Sequence, residues 1–207
     1  AIIEEAHAGG VRVAVHATQL EAARAVVEAG ADILVHSVDD APVDAAFIAL
    51  LKEKGTILTT TLTVYEGYGE ILSGTPQLVD VEARLMSPTV RNSWDELAAA
   101  PEGTIDPEAM TARKEKMFSR IPMMQANLER LWDAGVIVAA GTDAGNVGTP
   151  HGPAIHRELE LMAAAGLTPG EVLVAATRNA ARIFAAQPDF GTLTAGKLAD
   201  FLVLNED

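Results

Sequence analysis

The sequence predicts an α/β fold carried by a parallel sheet, and three observations predict it. Three short β-branched or apolar stretches, Val11 to His16 (VRVAVH), Ile33 to His36 (ILVH) and Val136 to Asp143 (VIVAAGTD), each end abruptly in a polar side chain able to bind metal. Helical patterns separate them, with apolar residues recurring at three- and four-residue spacing and a glycine closing each turn. Runs this apolar read as strands buried in a parallel sheet, whose strand-to-helix loops all open on one face. Two imidazoles and one carboxylate are therefore expected to converge at that face.

Taken in order, Ile2 to His7 reads as a helix stopped by Gly9 and Gly10. Strand Val11 to His16 leads into a helix over Gln19 to Ala29, with Leu20, Ala23, Val26 and Val27 on one side. His36 follows His16 by 20 residues, the length of one compact strand, loop, helix and loop repeat. A helix is expected from Val43 to Lys54, after Pro42 and before Gly55. Thr56 to Val64 (TILTTTLTV) alternates threonine with aliphatics and is expected as a third strand with one polar face. Tyr65 and Tyr68 follow it. From Glu66 to Ser119 the periodicity degrades around Pro76, Pro88, Pro101 and Pro107, which suggests an insertion over the mouth of the site. Ile121 to Ala134 reads as a further helix. A glycine-rich loop holding His151 follows Asp143, then an amphipathic helix from Ala154 to Ala165, and Thr168-Pro169-Gly170-Glu171 opens another. The tail Gly191 to Leu204 abandons this rhythm for an alternating strand of a separate, smaller β structure.

Composition narrows the function. A chain of 207 residues that is 49% hydrophobic can bury a sizeable core, and no apolar run reaches the roughly 18 residues a membrane span needs. It is expected to be soluble, with a cytoplasmic or exported location left open. A net charge of -14 argues against nucleic acid or an anionic membrane surface as partner. The absence of cysteine leaves five histidines and the carboxylates to hold any transition metal. His16, His36 and Asp143 form the expected ligand set, with Asp143 also able to carry a proton. A coordinated water ionises near pH about 7, so the set points to hydrolysis. His151, on a loop beside Asp143, and Tyr65 are candidate substrate contacts, Tyr65 alternatively plugging the site mouth. His7 and His156 are expected to make local contacts, the latter with Glu160. The chain starts at Ala1, partway into a helical pattern, as a piece of a longer protein would.

The segments VAVHA, ILVHS, GTDAG, ELELMAAAGLTPGEVLVAAT and GTLTAGKLADFLVL together resemble the amidohydrolase superfamily of metal-dependent hydrolases, in its imidazolonepropionase-like and Xaa-Pro dipeptidase-like branch. The resemblance implies a (β/α)8 TIM-like barrel with a small β-sandwich. Residues 1–190 would supply barrel strands five to eight, with an insertion at about 66–119, and 191–207 the terminal sandwich strand. It implies that His16 and His36 bind one divalent metal, zinc foremost, while Asp143 binds a second and shuttles protons. It further implies hydrolysis of C–N bonds in cyclic amides, dipeptides or N-acyl amino acids. The family's first-strand His-x-His pair and bridging lysine have no counterpart here: Lys52 and Lys54 fall in a helix and Lys197 in the tail. The chain is therefore expected to be the carboxyl-terminal half of the enzyme, inactive alone. Two other readings compete: a non-catalytic half-barrel completed by a partner chain or a second copy of itself, and a mononuclear lyase or oxygenase.

Overall fold

The computed structural model describes residues 1–72, 78–98 and 106–205. Helix α1 (Ile2–Ala8) precedes strand β1 (Ala14–His16); α2 (Leu20–Glu28) leads to β2 (Ile33–Val35), and α3 (Ala45–Lys54) to β3 (Ile57–Thr59). Four helices then intervene, α4 (Leu62–Leu72), α5 (Asp80–Leu85), α6 (Pro88–Ala98) and α7 (Pro107–Asp133), before β4 (Val138–Ala139). Helices α8 (Ala154–Ala164) and α9 (Pro169–Val174) follow, and α9 runs through a π-helical turn at Ala175–Asn179 into α10 (Ala180–Phe184).

The four strands form one sheet in sequence order, every pair parallel, with Ala14 opposite Ile33, Ile33 opposite Ile57 and Leu58 opposite Val138. Parallel neighbours joined by helical crossovers are what the alternating apolar runs predict. Leu34, Leu58 and Val138 pack with Val27, Phe47, Leu51, Leu128, Leu131 and Met162 from the surrounding helices into one core. Asn127 is a buried polar side chain that ties this core to a loop. Asn127 on α7 donates to the carbonyls of Val38 and Ala41 (3.0 and 2.9 Å) and accepts from the amide of Val43 (2.9 Å), which ties down the loop after β2.

The structure departs from the sequence reading in four places. The expected strand over Thr56 to Val64 holds only at Ile57–Thr59, because the chain turns at Thr61 and is helical from Leu62. The expected helix from Ile121 extends back to Pro107, so α7 runs through Pro122 and across the proposed end of the insertion at Ser119. Strand β1 is not buried on both faces: Ala14 and His16 are exposed, since β1 is an edge strand with a partner on one side only. The tail from Gly191 to Asn205 forms no strand, and Leu193 and Phe201 to Leu204 lie exposed. A lone extended segment has no ladder to join, and its backbone bonds are local, such as the Leu198 amide to the Asp189 carbonyl at 2.7 Å.

Candidate metal and hydrolytic site

The three candidate ligands lie at or just beyond the carboxyl ends of strands. His16 ends β1, His36 follows β2, and Asp143 follows β4. Together with Thr18, Tyr65, Tyr68, Arg113 and Asn146 they line a cavity of about 390 Å³. The His16 and His36 rings meet edge to face with centroids 4.4 Å apart, and His36 Nε2 is 3.9 Å from Asp143 Oδ2. These three residues line one cavity.

The backbone is strained at this face. Among the described residues, three non-glycine residues have positive φ: His36 (76°), Thr61 (61°) and Asp143 (50°). The left-handed region is uncommon for any L-residue and an outlier for β-branched threonine. His36 and Asp143 line the cavity from these positions, while Thr61 is buried against the His36 ring.

His36 is buried, and Nδ1 lies 2.5 Å from Thr61 Oγ1. With Nδ1–H donating to Thr61, the lone pair of Nε2 faces Asp143 and the cavity. Burial, and then the nearby His16, hold the His36 pKa below its ordinary value against the opposing pull of Asp143 and Asp39, so the ring is neutral at physiological pH. Asp143 is exposed to the cavity, and one of its oxygens accepts from Asn146 Nδ2 at 2.8 Å. Tyr68 donates to Asn146 Oδ1 at 3.0 Å, which fixes the orientation of that amide.

The other two candidates, Tyr65 and His151, have different surroundings. The Tyr65 hydroxyl donates to Asp39, whose other oxygen accepts from Arg120, and Asp39 is almost wholly buried. Burial, and then this hydrogen bond, raise the Tyr65 pKa well above its ordinary value. Its ring lines the cavity while its hydroxyl is committed to the ion pair. His151 lines a neighbouring cavity of about 480 Å³ with Trp94, Val147 and Pro150, sharing only Asn146 with the first. His7 pairs with Asp32 at 2.8 Å. Glu160 pairs with Arg157, not with His156.

The sequence reading missed Glu158. Fully buried on α8, it accepts from Thr60 Oγ1 (2.5 Å), the Leu62 amide (3.0 Å) and the Thr63 amide (2.8 Å). The carboxylate caps the first turn of α4 from a distant part of the chain. Its place on the apolar face of ELELM, in step with Leu161 and Met162, was the available signal.

Among the described residues, no three His, Asp or Glu side chains stand close enough together to hold one ion. The donors nevertheless fit a divalent metal in chemistry: a neutral imidazole oriented through its far nitrogen, a second imidazole beside it and an accessible carboxylate.

The whole chain, residues 1–207, matches the amidohydrolase family, and the protein belongs to it. A 79-residue stretch, 37% of the chain, is 47% identical to an imidazolonepropionase of Deinococcus radiodurans and covers 19% of that protein. All of the chain superposes on 38% of the A. niger ochratoxinase structure with TM-score 0.64 and 26% identity. In fold it also matches a Xaa-Pro dipeptidase with bound methionine, at TM-score 0.65 and 23% identity over 96% of this chain and 40% of that one. The chain thus spans about two fifths of the solved structures it matches.

Proposed function

We propose that the chain is the carboxyl-terminal part of a metal-dependent hydrolase that cleaves C–N bonds of amide or dipeptide-like substrates. The observation that carries this reading is the meeting of His16, His36 and Asp143 at the carboxyl ends of three strands of one parallel sheet, on the rim of one cavity. His16 and His36 would hold one divalent metal, zinc first among the candidates, and Asp143 a second. When bound, such an ion supplies a water acidic enough to act as nucleophile at neutral pH. Asp143, accessible and oriented by Asn146, accepts a proton and returns it to the departing nitrogen. His36, neutral and held by Thr61, keeps its Nε2 on the cavity. Arg113 lies one helical face along α7 from Met117 and Arg120 and lines the cavity. Among the described residues it has no acidic partner. It is placed to receive the carboxylate of an N-acyl amino acid or dipeptide.

The exposed edge of β1 and the bare apolar side chains of the tail support the reading that the chain forms half of a barrel completed by further protein, with 191–207 as a sandwich strand. Metal analysis and amidase assays, on this chain and on it joined to an amino-terminal half from a relative, test both points. The chain alone is expected to bind at most one ion weakly and to turn over no substrate. Stoichiometric binding of two ions by the isolated chain would refute the half-enzyme reading. A joined protein that binds no metal would refute the hydrolase.

A further inference from the structure

We infer that Glu158 is a positioning residue for the site: through the β3 to α4 junction it holds Thr61, and through Thr61 it sets the orientation of His36. The three groups that Glu158 binds, Thr60 Oγ1 and the amides of Leu62 and Thr63, flank Thr61 on both sides. Thr61 itself has φ of 61°, a conformation threonine does not hold without support. Its amide donates to the Gly141 carbonyl at 3.0 Å, and its hydroxyl meets His36 Nδ1. The main chain of the same junction also pairs with the loop after β2, since the Ser37 amide donates to the Thr60 carbonyl at 3.2 Å. A carboxylate on α8, after the Asp143 loop, is thereby linked to the imidazole after β2 through its three hydrogen bonds around Thr61 and the contact of the Thr61 hydroxyl with the ring.

The geometry selects a tautomer. A ligating imidazole presents one nitrogen and needs an acceptor for the proton on the other. Thr61 Oγ1 supplies that acceptor only while the junction stays in its left-handed turn. Without Glu158 the amides of Leu62 and Thr63 lose their cap, the turn relaxes toward allowed backbone, and the hydroxyl leaves Nδ1. The functional meaning rests on His36 being a metal ligand, as proposed above, but the orientation does not.

The experiment compares the chain with Glu158→Gln, Thr61→Val and Thr61→Ser, reading histidine ¹⁵N spectra at pH about 8, where free imidazole is neutral, and Zn²⁺ affinity by chelator competition. The unaltered chain should show His36 as a single Nδ1–H tautomer. Glu158→Gln and Thr61→Val should each mix the tautomers and weaken Zn²⁺ binding by about 10- to 100-fold, and the double variant should be no worse than the single ones. Thr61→Ser should retain the tautomer. Should Glu158→Gln fail to fold, Thr60→Val removes one of the three donors, leaves the acid in place, and should mix the tautomers in part. A Glu158→Gln or Thr60→Val chain that loses thermal stability yet keeps the unaltered His36 spectrum overturns the proposal. An unaltered chain with the expected tautomer that binds no Zn²⁺ even when joined to an amino-terminal half overturns the metal-ligand reading and leaves the positioning standing.

Discussion

Replacing Glu158 by glutamine should change not only how stable the protein is but how its stability depends on pH. Burial raises the Glu158 pKa from 4.5 to about 7, against the three hydrogen bonds that favour its ionised form. A carboxyl that binds its proton more tightly when folded makes the folded state lose ground as pH rises, because ionisation then costs more in the native protein than in the unfolded chain. The penalty starts near pH 4.5, grows through pH 7, and at full ionisation amounts to on the order of 3 kcal/mol. Glutamine is neutral throughout and carries no such slope. It does lose an acceptor, since its amide nitrogen faces a donor, which costs about 1–3 kcal/mol. The variant should therefore be clearly less stable than the parent at pH 5, with the gap narrowing by about 2–3 kcal/mol by pH 8. Titratable groups remote from the β3 to α4 junction and from His36 are the same in both proteins and cancel in the difference. Urea melts of the pair at four pH values between 5 and 8 would measure it. A gap that stays constant across that range would refute the account of Glu158 as a buried carboxyl with a raised pKa.

Three further outcomes follow from the packing and the site. Gly141→Ala would drive a methyl into the side chain of Thr59 on β3, and overpacking of this kind should cost about 1–3 kcal/mol in thermal or urea denaturation. Asn127→Leu strips three hydrogen bonds, two of them buried, from the loop that carries Asp39, leaving the Val43 amide without a partner, and should lower stability by about 2–4 kcal/mol in the same assay. In a catalytically complete protein, Arg113→Met should raise KM for an N-acyl amino acid by about 10- to 100-fold, leave kcat near its starting value, and leave the corresponding C-terminal amide unaffected. Equal losses on both substrates would remove Arg113 from carboxylate recognition.

Much of this architecture was legible because it is local. The β-branched runs and glycine stops specify strands and helix ends within a few residues, and strand-end histidines and aspartate follow from where those runs stop. What sequence could not show is set by distant partners. The TILTTTLTV run has the composition of a strand, yet it is helical from Leu62 because a carboxylate 96 residues away caps the Leu62 amide. The start of α2 is similarly capped from outside, by Asp40 accepting from the Leu20 amide at 2.9 Å. At Pro122 the local rule reads a helix start, since an interior proline costs about 3 kcal/mol. Packing of Met124, Leu128 and Leu131 in the core offsets that cost, and α7 continues through it. Tyr65 was legible as a residue at the site, but its commitment to Asp39 was not, because Arg120 arrives from α7.

The three strained residues give these separate facts one physical sense. His36, Thr61 and Asp143 each occupy a backbone region that costs about 1–3 kcal/mol, and each lies just beyond a strand of one sheet. A fold selected for stability alone would place glycine at such turns, as it does at Gly55 and Gly135, where φ is 67° and 78°. Retaining side chains there offsets nothing within the core: Asp143 faces the cavity, and Thr61 spends its hydroxyl on His36. The strain is held by neighbours that over-determine it, Glu158 around Thr61 and Asn146 beside Asp143. Replacing Thr61 by glycine separates the two roles of that turn. It should relieve the backbone and stabilise the chain or leave it unchanged in urea melts, while removing the acceptor for His36 Nδ1 and weakening Zn²⁺ binding. A Thr61→Gly chain with unaltered Zn²⁺ affinity would show that the hydroxyl does not serve the imidazole, and the strain at this turn would then need another cause.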